Sequence, residues 1–416
     1  MCHHPPAAKP PSASLRPRLS LLCVAASMGA IGHVQYTWTL FVPSLAASLA
    51  ASLPQVQLGF SLFVGLQTSS VLCLGLLVHR SHHRLAMCAG SLVVGLSLCG
   101  LAAVRSLTQL YACCALLGLG VGCVYNGCMS LSVRLFPLQR GLAAGVSAAA
   151  YGGGTVLTVA YIEAAIEERG SAYTLRALGL SLAAVTLAAS SALPAAHWRG
   201  AAHEAVARHA DEPDVPLSEA VRGCAFWVLY LMLVLITFTG LVVSAQLRPI
   251  ADAFGMPSAT LVLALQADRI LTLISRPFWG ALSDCIGRAQ TLALAFGLQA
   301  LVLLTWAARL SDASFFVVCS ALSTFSWGEV YSMFPAIAAD LYGVDSVSAT
   351  FGALYTGKAV ASVLAGPVAS FVAEQLSWSA VILLMALVSF ADALLAALSL
   401  GPLIRREAAR RCSTLS

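Results

Sequence analysis

Arg276 stands inside a stretch, Asp268 to Arg288 (DRILTLISRPFWGALSDCIGR), that is otherwise mostly apolar. The pattern Gly280-x-x-x-Asp284-x-x-Gly287-Arg288 reads as a membrane-edge loop, which puts Arg276 eight residues, about 12 Å of helix, inside that edge. In a hydrocarbon core about 30 Å thick that is deep. A centrally placed arginine costs roughly 2.5 to 3.5 kcal/mol on insertion scales, so it faces protein or a water-filled cavity and marks a pathway. Lysine occurs only at Lys9 and Lys358, and Lys358 lies in the apolar run Ala349 to Val372. Two buried cations on separate helices imply an anion between them.

Three more charges fall within apolar stretches: Asp268, Arg269 and Glu329. Neighbouring residues on a helix point about 100° apart, so Asp268 and Arg269 pair poorly with each other. Each is expected to find a partner elsewhere, Glu329 for Arg269, as an ion pair or a proton-coupling group.

Polar and aromatic groups interrupt the apolar pattern at recurring depths: Gln35-Tyr36-Thr37-Trp38-Thr39, Gln67, Tyr125-Asn126 and Trp327-Gly328-Glu329-Val330-Tyr331. Trp327 and Tyr331 are four apart and share a helix face, as do Tyr355 and Lys358, three apart. Taken singly, each aromatic is equally well read as a packing or interfacial anchor. Beside two buried cations they are read together as a box for a small planar anion, held by shape while the cations supply charge.

No nucleophile–base–orienter arrangement argues for catalysis, and an enzyme is not expected. The thirteen cysteines lack metal or disulfide spacing and read as small buried hydrophobes. His3 with His4, and His79, His82 and His83, lie in polar flanks and read as solvated clusters, so no metal or cofactor is expected. Glycines such as Gly141, Gly145 and Gly152 to Gly154 read as sites of close helix approach.

The elements that must position these groups are membrane helices. Of 416 residues 59% are hydrophobic and only 10% charged, against about 25% charged in soluble domains, and the mean hydropathy is +0.85. The apolar runs are too long for barrel strands, leaving an all-α membrane protein. Twelve spans are predicted, from Leu19–Leu45 to Ser379–Leu400, the fifth, eighth and eleventh being Gly141–Ile166, Thr260–Leu282 and Ala349–Val372. They divide into six-helix halves at 19–196 and 223–403, with a polar linker at 197–222 and tails at 1–18 and 404–416. The first 18 residues read as a retained tail and not as a cleavable signal.

With the N-terminus cytoplasmic, fifteen Lys and Arg fall on inside segments and five on outside ones, so both termini and the linker are expected in the cytoplasm of a multi-pass cell-membrane protein. Basic residues spread over many short loops speak against nucleic acid as a partner; the expected partners are the bilayer and a small anion, with a monomer as the working unit. A shift of about 206 residues lays Val124-Tyr125 on Val330-Tyr331 and brings Tyr151-Gly152-Gly153 near Tyr355-Thr356-Gly357. Parallel six-helix repeats are the architecture of the major facilitator superfamily.

Within that superfamily the chain resembles the oxalate:formate antiporter family. The resemblance rests on Gln35-Tyr36-x-Trp38-Thr39-Leu40, Arg140-Gly141-Leu142-Ala143-x-Gly145, the Arg276-Pro277-Phe278-Trp279-Gly280 to Arg288 segment, Trp327-Gly328 with Tyr331 and Phe334-Pro335, and the Lys358 segment. It implies Arg276 and Lys358 as carboxylate ligands, with Gln35, Tyr36, Tyr125, Trp327, Tyr331 and Tyr355 around the substrate. It also implies a gating charge relay at Asp284 and Arg288. Oxalate and formate are the leading substrate pair. Departures are the loop Leu77-Val78-His79-Arg80-Ser81-His82-His83-Arg84, which lacks the acid of the Asp284 pattern, Tyr355, where the family has a bulkier aromatic, and Asp268, Arg269 and Glu329, intramembrane charges that a dianion site need not have. The alternatives are proton-linked monocarboxylate transport, through Glu329 or Asp268, and a carboxylate sensor that moves nothing.

Overall fold

In a computed structural model, residues 15–77, 83–154, 158–193, 215–328, 330–365 and 369–403 are described, and every secondary-structure element among them is helical. The N-terminal set is α1 (Leu15–Leu49), α2 (Leu53–Leu77), α3 (His83–Leu101), α4 (Leu107–Leu135), α5 (Arg140–Gly153), α6 (Val159–Arg169) and α7 (Ser171–Ala192). The C-terminal set is α8 (Leu217–Ala220), α9 (Cys224–Ala253), α10 (Ser258–Ile286), α11 (Arg288–Ala308), α12 (Ala313–Trp327), α13 (Val330–Tyr342), α14 (Val347–Tyr355), α15 (Gly357–Val363), α16 (Ala369–Gln375) and α17 (Trp378–Leu395). Of the predicted linker, residues 197–214 lie outside the described residues, as do 1–14 and 404–416 of the tails, and with them Glu329 and His79. Where the chain resumes, the Val215 N–H donates to the Tyr342 carbonyl at 2.9 Å and ties the entry of the C-terminal set to α13.

Nine stretches among the described residues are long and apolar enough to cross a membrane. The predicted fifth, eighth and eleventh spans do not meet that measure, although they are helical over most of their length. For α10 the reason is chemical, and for the other two no helix of spanning length lies within the described residues. α10 carries Asp268, Arg269, Arg276 and Asp284, the eleventh predicted span carries Lys358, and α5 is rich in Gly and Ala.

These three segments run along the seams between the two sets. α5 packs on α10 through glycine: a Cβ on Gly141 would meet the Gly280 carbonyl, one on Gly280 the Gly141 carbonyl, and one on Gly145 the Arg276 carbonyl. α2 meets α14 in the same manner, with Gly75 against the backbone of Ser348 and Ala349, and Gly352 against Val71 and Leu72. In lipid, helices gain little from burying apolar side chains, so backbone-to-backbone approach at small residues carries the association. Gly287, at φ +96°, takes the left-handed turn that folds α11 back and sets Arg288 beside Asp284.

Candidate functional site

Arg276 and Lys358 line one cavity of about 120 Å³. That is roughly ten times the 10–15 Å³ that holds a water, enough for a small organic ion and too little for a drug-sized ligand. Arg276 is 4% exposed and Lys358 6%. Both cations sit against one ring: the Arg276 guanidinium is 4.6 Å from the centroid of Tyr331, and Lys358 Nζ 5.6 Å from it. Lys358 also stands 5.2 Å from the Tyr355 ring, and its Nζ donates to the Tyr355 hydroxyl at 3.2 Å. Arg276 Nη1 donates to the Ala148 carbonyl of α5, so the charge is anchored across the α5–α10 seam.

Gln35, Tyr36, Asp268, Arg269, Trp327 and Tyr331 line the same cavity. Tyr125 and Tyr355 are not among its lining residues and form the layer behind. The rings make a continuous chain from α1 to α12: Tyr36 on Tyr151 at 5.9 Å, Tyr151 on Tyr125 at 5.4 Å, Tyr125 on Tyr355 at 5.5 Å, Tyr355 on Tyr331 at 6.4 Å, and Tyr331 on Trp327 at 5.5 Å. The Trp327 ring fits against Gly240 of α9, where a Cβ would overlap it.

Tyr151 is the member that reading the sequence did not assign to the site. Its hydroxyl donates to Gln35 Oε1 at 2.8 Å and accepts from Gln67 Nε2 at 2.9 Å, so it fixes the orientation of a cavity-lining amide. The repeat carried a signal, since Tyr151 and Tyr355 lie at related positions in the two sets.

Asp268 and Arg269 have separate environments. Asp268 is 8% exposed and accepts a hydrogen bond from the Thr324 hydroxyl of α12. Arg269 is exposed at the rim, its guanidinium 5.1 Å from the Tyr36 ring. Its expected partner, Glu329, lies outside the described residues.

Below the cavity the two sets are bolted together at one end. Asp284 accepts from the backbone N–H groups of Gly141 at 3.1 Å and Leu142 at 2.9 Å, capping α5, and pairs with Arg288 at 2.7 Å. Asp340 of α13 bridges Arg288 at 2.9 Å and Arg140 at 2.6 Å. Beside the other seam, Arg134 of α4 pairs with Asp345 at 3.0 Å, and the Ser348 hydroxyl donates to Asn126 Oδ1 at 2.5 Å. The N-terminal counterpart of the Asp284 loop, around His79, lies outside the described residues.

The profile of the Major Facilitator Superfamily matches residues 19–267 and again 227–411. The oxalate:formate antiporter of Oxalobacter formigenes is 30% identical over 362 residues, covering 86% of each chain. The chain belongs to the oxalate:formate antiporter family of the major facilitator superfamily. An uncharacterized MFS-type transporter of Escherichia coli K12, YhjX, is 27% identical over 83% of this chain and 85% of its own. Among solved structures, the proton:xylose symporter XylE bound to 6-bromo-6-deoxy-D-glucose superposes with a TM-score of 0.69 at 14% identity, covering 92% of this chain and 95% of its own. The human organic anion transporter MFSD10 gives 0.68 at 17%, covering 93% and 100%. At those identities the two structures show the fold alone. This major facilitator protein is thus a multi-pass secondary transporter, not an enzyme.

Proposed function

We propose that the protein exchanges small carboxylates across the membrane by alternating access, with oxalate and formate as the leading pair. The observation that carries this reading is the pair of buried cations that line one small cavity, both set against the Tyr331 ring. The bond from Lys358 to Tyr355 uses one of three ammonium donors and leaves two for a ligand. Arg276 and Lys358 are 4% and 6% exposed, and buried cations facing one cavity are strongly favoured by an opposite charge between them, so the space suits a small anion.

Arg276 and Lys358 would bind the carboxylate groups, with Gln35, Tyr36, Tyr125, Trp327, Tyr331 and Tyr355 shaping the space. A dianion neutralises both cations and lets the two sets close around a dry site, whereas closure on unpaired cations is penalised by desolvation. That difference supports exchange, because an empty carrier changes face less readily than a loaded one. The relative's name supports the substrate class.

The arrangement proposed is two six-helix halves, 19–196 and 223–403, joined by a cytoplasmic linker at 197–222, with both tails cytoplasmic and the whole pathway in one chain. On that orientation Asp284, Arg288, Asp340 and Arg140 form the inner latch, and the cavity is served from the outer face. A second reading, proton-linked monocarboxylate movement, is favoured by one observation, the buried acid Asp268 on the cavity wall.

Oxalate counterflow in liposomes containing the purified protein tests the proposal. Uptake of labelled oxalate should require internal oxalate or formate, persist without a pH gradient, and vanish in Arg276→Ala and Lys358→Ala. Uptake that needs only an inward proton gradient would establish the second reading instead.

A further inference from the structure

We infer that Asp268 sets the charge of the preferred substrate, by cancelling Arg269 and leaving the positive charges of Arg276 and Lys358 for a dicarboxylate dianion. The inference rests on the carboxylate reading above and deepens it.

Among the described residues the cavity wall holds three cations, Arg269, Arg276 and Lys358, and one acid, Asp268. Asp268 and Arg269 are not a contact pair: Thr324 donates to Asp268, and Arg269 rests on Tyr36. They act through the field of a small cavity, where charges several ångströms apart still interact, with screening at the exposed rim position of Arg269. Other groups presented to that space from the surrounding helices are the Tyr36 ring from α1 and the Tyr331 ring from α13, both uncharged, and Lys358 from α15. Counted over the described residues, the wall carries two net positive charges, matching one dianion. A monoanion leaves one positive charge uncompensated as the site closes.

Three variants then have different signatures. Asp268→Asn raises the wall to three positive charges, and a dianion no longer neutralises it. Arg269→Gln lowers it to one, which suits a monoanion. The double variant Asp268→Asn/Arg269→Gln returns it to two. A purely structural role for Asp268 predicts no such rescue, because neither substitution rebuilds an interaction that the other breaks.

The test is counterflow in liposomes at pH 7, with oxalate as the dianion and formate as the monoanion, on each variant after its melting temperature in detergent is measured. Asp268→Asn is expected to slow oxalate counterflow about tenfold, and Arg269→Gln to lower the oxalate-to-formate preference by about tenfold, the scale of one poorly compensated charge in a partly solvated site. The double variant is expected to recover the wild-type preference to within about threefold. Failure of the double variant to recover while melting like wild type would overturn the inference, as would an unchanged preference in Arg269→Gln. Loss of proton-driven uptake in Asp268→Asn, with the preference intact, would overturn it in favour of a proton-carrying role. If the wild-type protein moves neither anion, the carboxylate reading itself fails. If it moves both and needs Arg276 and Lys358, only the charge assignment is at stake.

Discussion

Tyr125 of α4 lies nearly flat on Tyr355 of α14, ring centroids 5.5 Å apart and planes 17° from parallel. One ring comes from each set of helices. Next to Tyr125 in the chain, Asn126 receives the Ser348 hydroxyl bond, and further toward the bolted end Arg134 meets Asp345. The stack is therefore the innermost of three cross-seam contacts between cavity and latch, and Tyr355 alone also touches a site cation. Opening this end must pull the two rings apart.

Tyr355→Phe keeps the stack and removes only the hydroxyl that receives the Lys358 bond. Oxalate affinity should fall by about three- to tenfold, the scale of one hydrogen bond to a charged group. Tyr125→Ala removes the stack, about 0.5–1.5 kcal/mol beyond its buried area, and leaves both cations in place. It should raise reactivity at cysteines introduced below the cavity while changing affinity less than Tyr355→Phe. Isothermal titration and thiol labelling separate the two effects, and the reverse ranking would place Tyr125, not Tyr355, at the ligand.

Arg276→Lys tests whether charge alone suffices at the eighth predicted span. Lysine keeps the positive charge but loses the planar fork that reaches Ala148, lies over Tyr331 and still offers donors to the cavity. Oxalate binding should drop by at least about thirtyfold, within the 2–5 kcal/mol seen when a buried charged partner is lost. A Lys variant that binds as wild type would reduce Arg276 to a point charge.

Gly145→Leu should jam the α5–α10 seam, where the Arg276 backbone carbonyl leaves no room for a Cβ. Because this seam is part of the bolted end, the variant should be found more often with that end open, and exchange should stall. Gly170→Ala would carry a left-handed φ cost without touching the seam, since nothing lies near its Cβ. It should lower the melting temperature with little effect on the open–closed balance, and an equal effect from both would show that general destabilisation accounts for the first.

How much of this site was legible in the sequence follows from what each residue needs. Arg276 and Lys358 could be picked out because a charge in lipid is too costly to keep unless it faces a cavity or a partner, and Trp327 with Tyr331 because helical spacing puts them on one face. Tyr151 sits in a run of Ala and Gly that reads as packing, and the partners that reveal it, Gln67 and Gln35, are 84 and 116 residues away. Thr324 was equally hidden, one of many hydroxyls in apolar helices until α10 and α12 bring it to Asp268. For Asp284 the resemblance implied a gating role with Arg288, and the structure adds its bonds to backbone N–H groups of α5, which no side-chain pattern announces. α5, α10 and the Lys358 segment are among the twelve predicted spans and are helical over most of their described length. They are the segments whose polar and small residues serve the seams and the cavity instead of the lipid.

Asp284 gives the sharpest mechanistic prediction. Its carboxylate caps the N-terminus of α5 with two hydrogen bonds and holds Arg288, which reaches on to Asp340 and through it to Arg140. These contacts to α5 tie the two sets of helices together in the closed arrangement seen here, so opening this end is expected to break them. Asp284→Asn keeps the side-chain size but removes the charge that favours a helix N-terminus and the pairing with Arg288, a loss of about 1–3 kcal/mol from the closed state. The population with that end open should rise by about five- to hundredfold, and exchange should slow because the closed state is now the scarce one. Nothing in the cavity is altered, so oxalate affinity measured with the carrier trapped in an occluded or inhibitor-bound state should stay within about threefold of wild type, unlike in Lys358→Ala. Asp345→Asn, which removes the negative charge facing Arg134 at the second seam, should act in the same direction, and His79→Ala much less. A loss of trapped-state binding in Asp284→Asn as deep as that in Lys358→Ala would move Asp284 from the gate to the site, and equal losses from His79→Ala would put the missing half of the latch in the loop after α2.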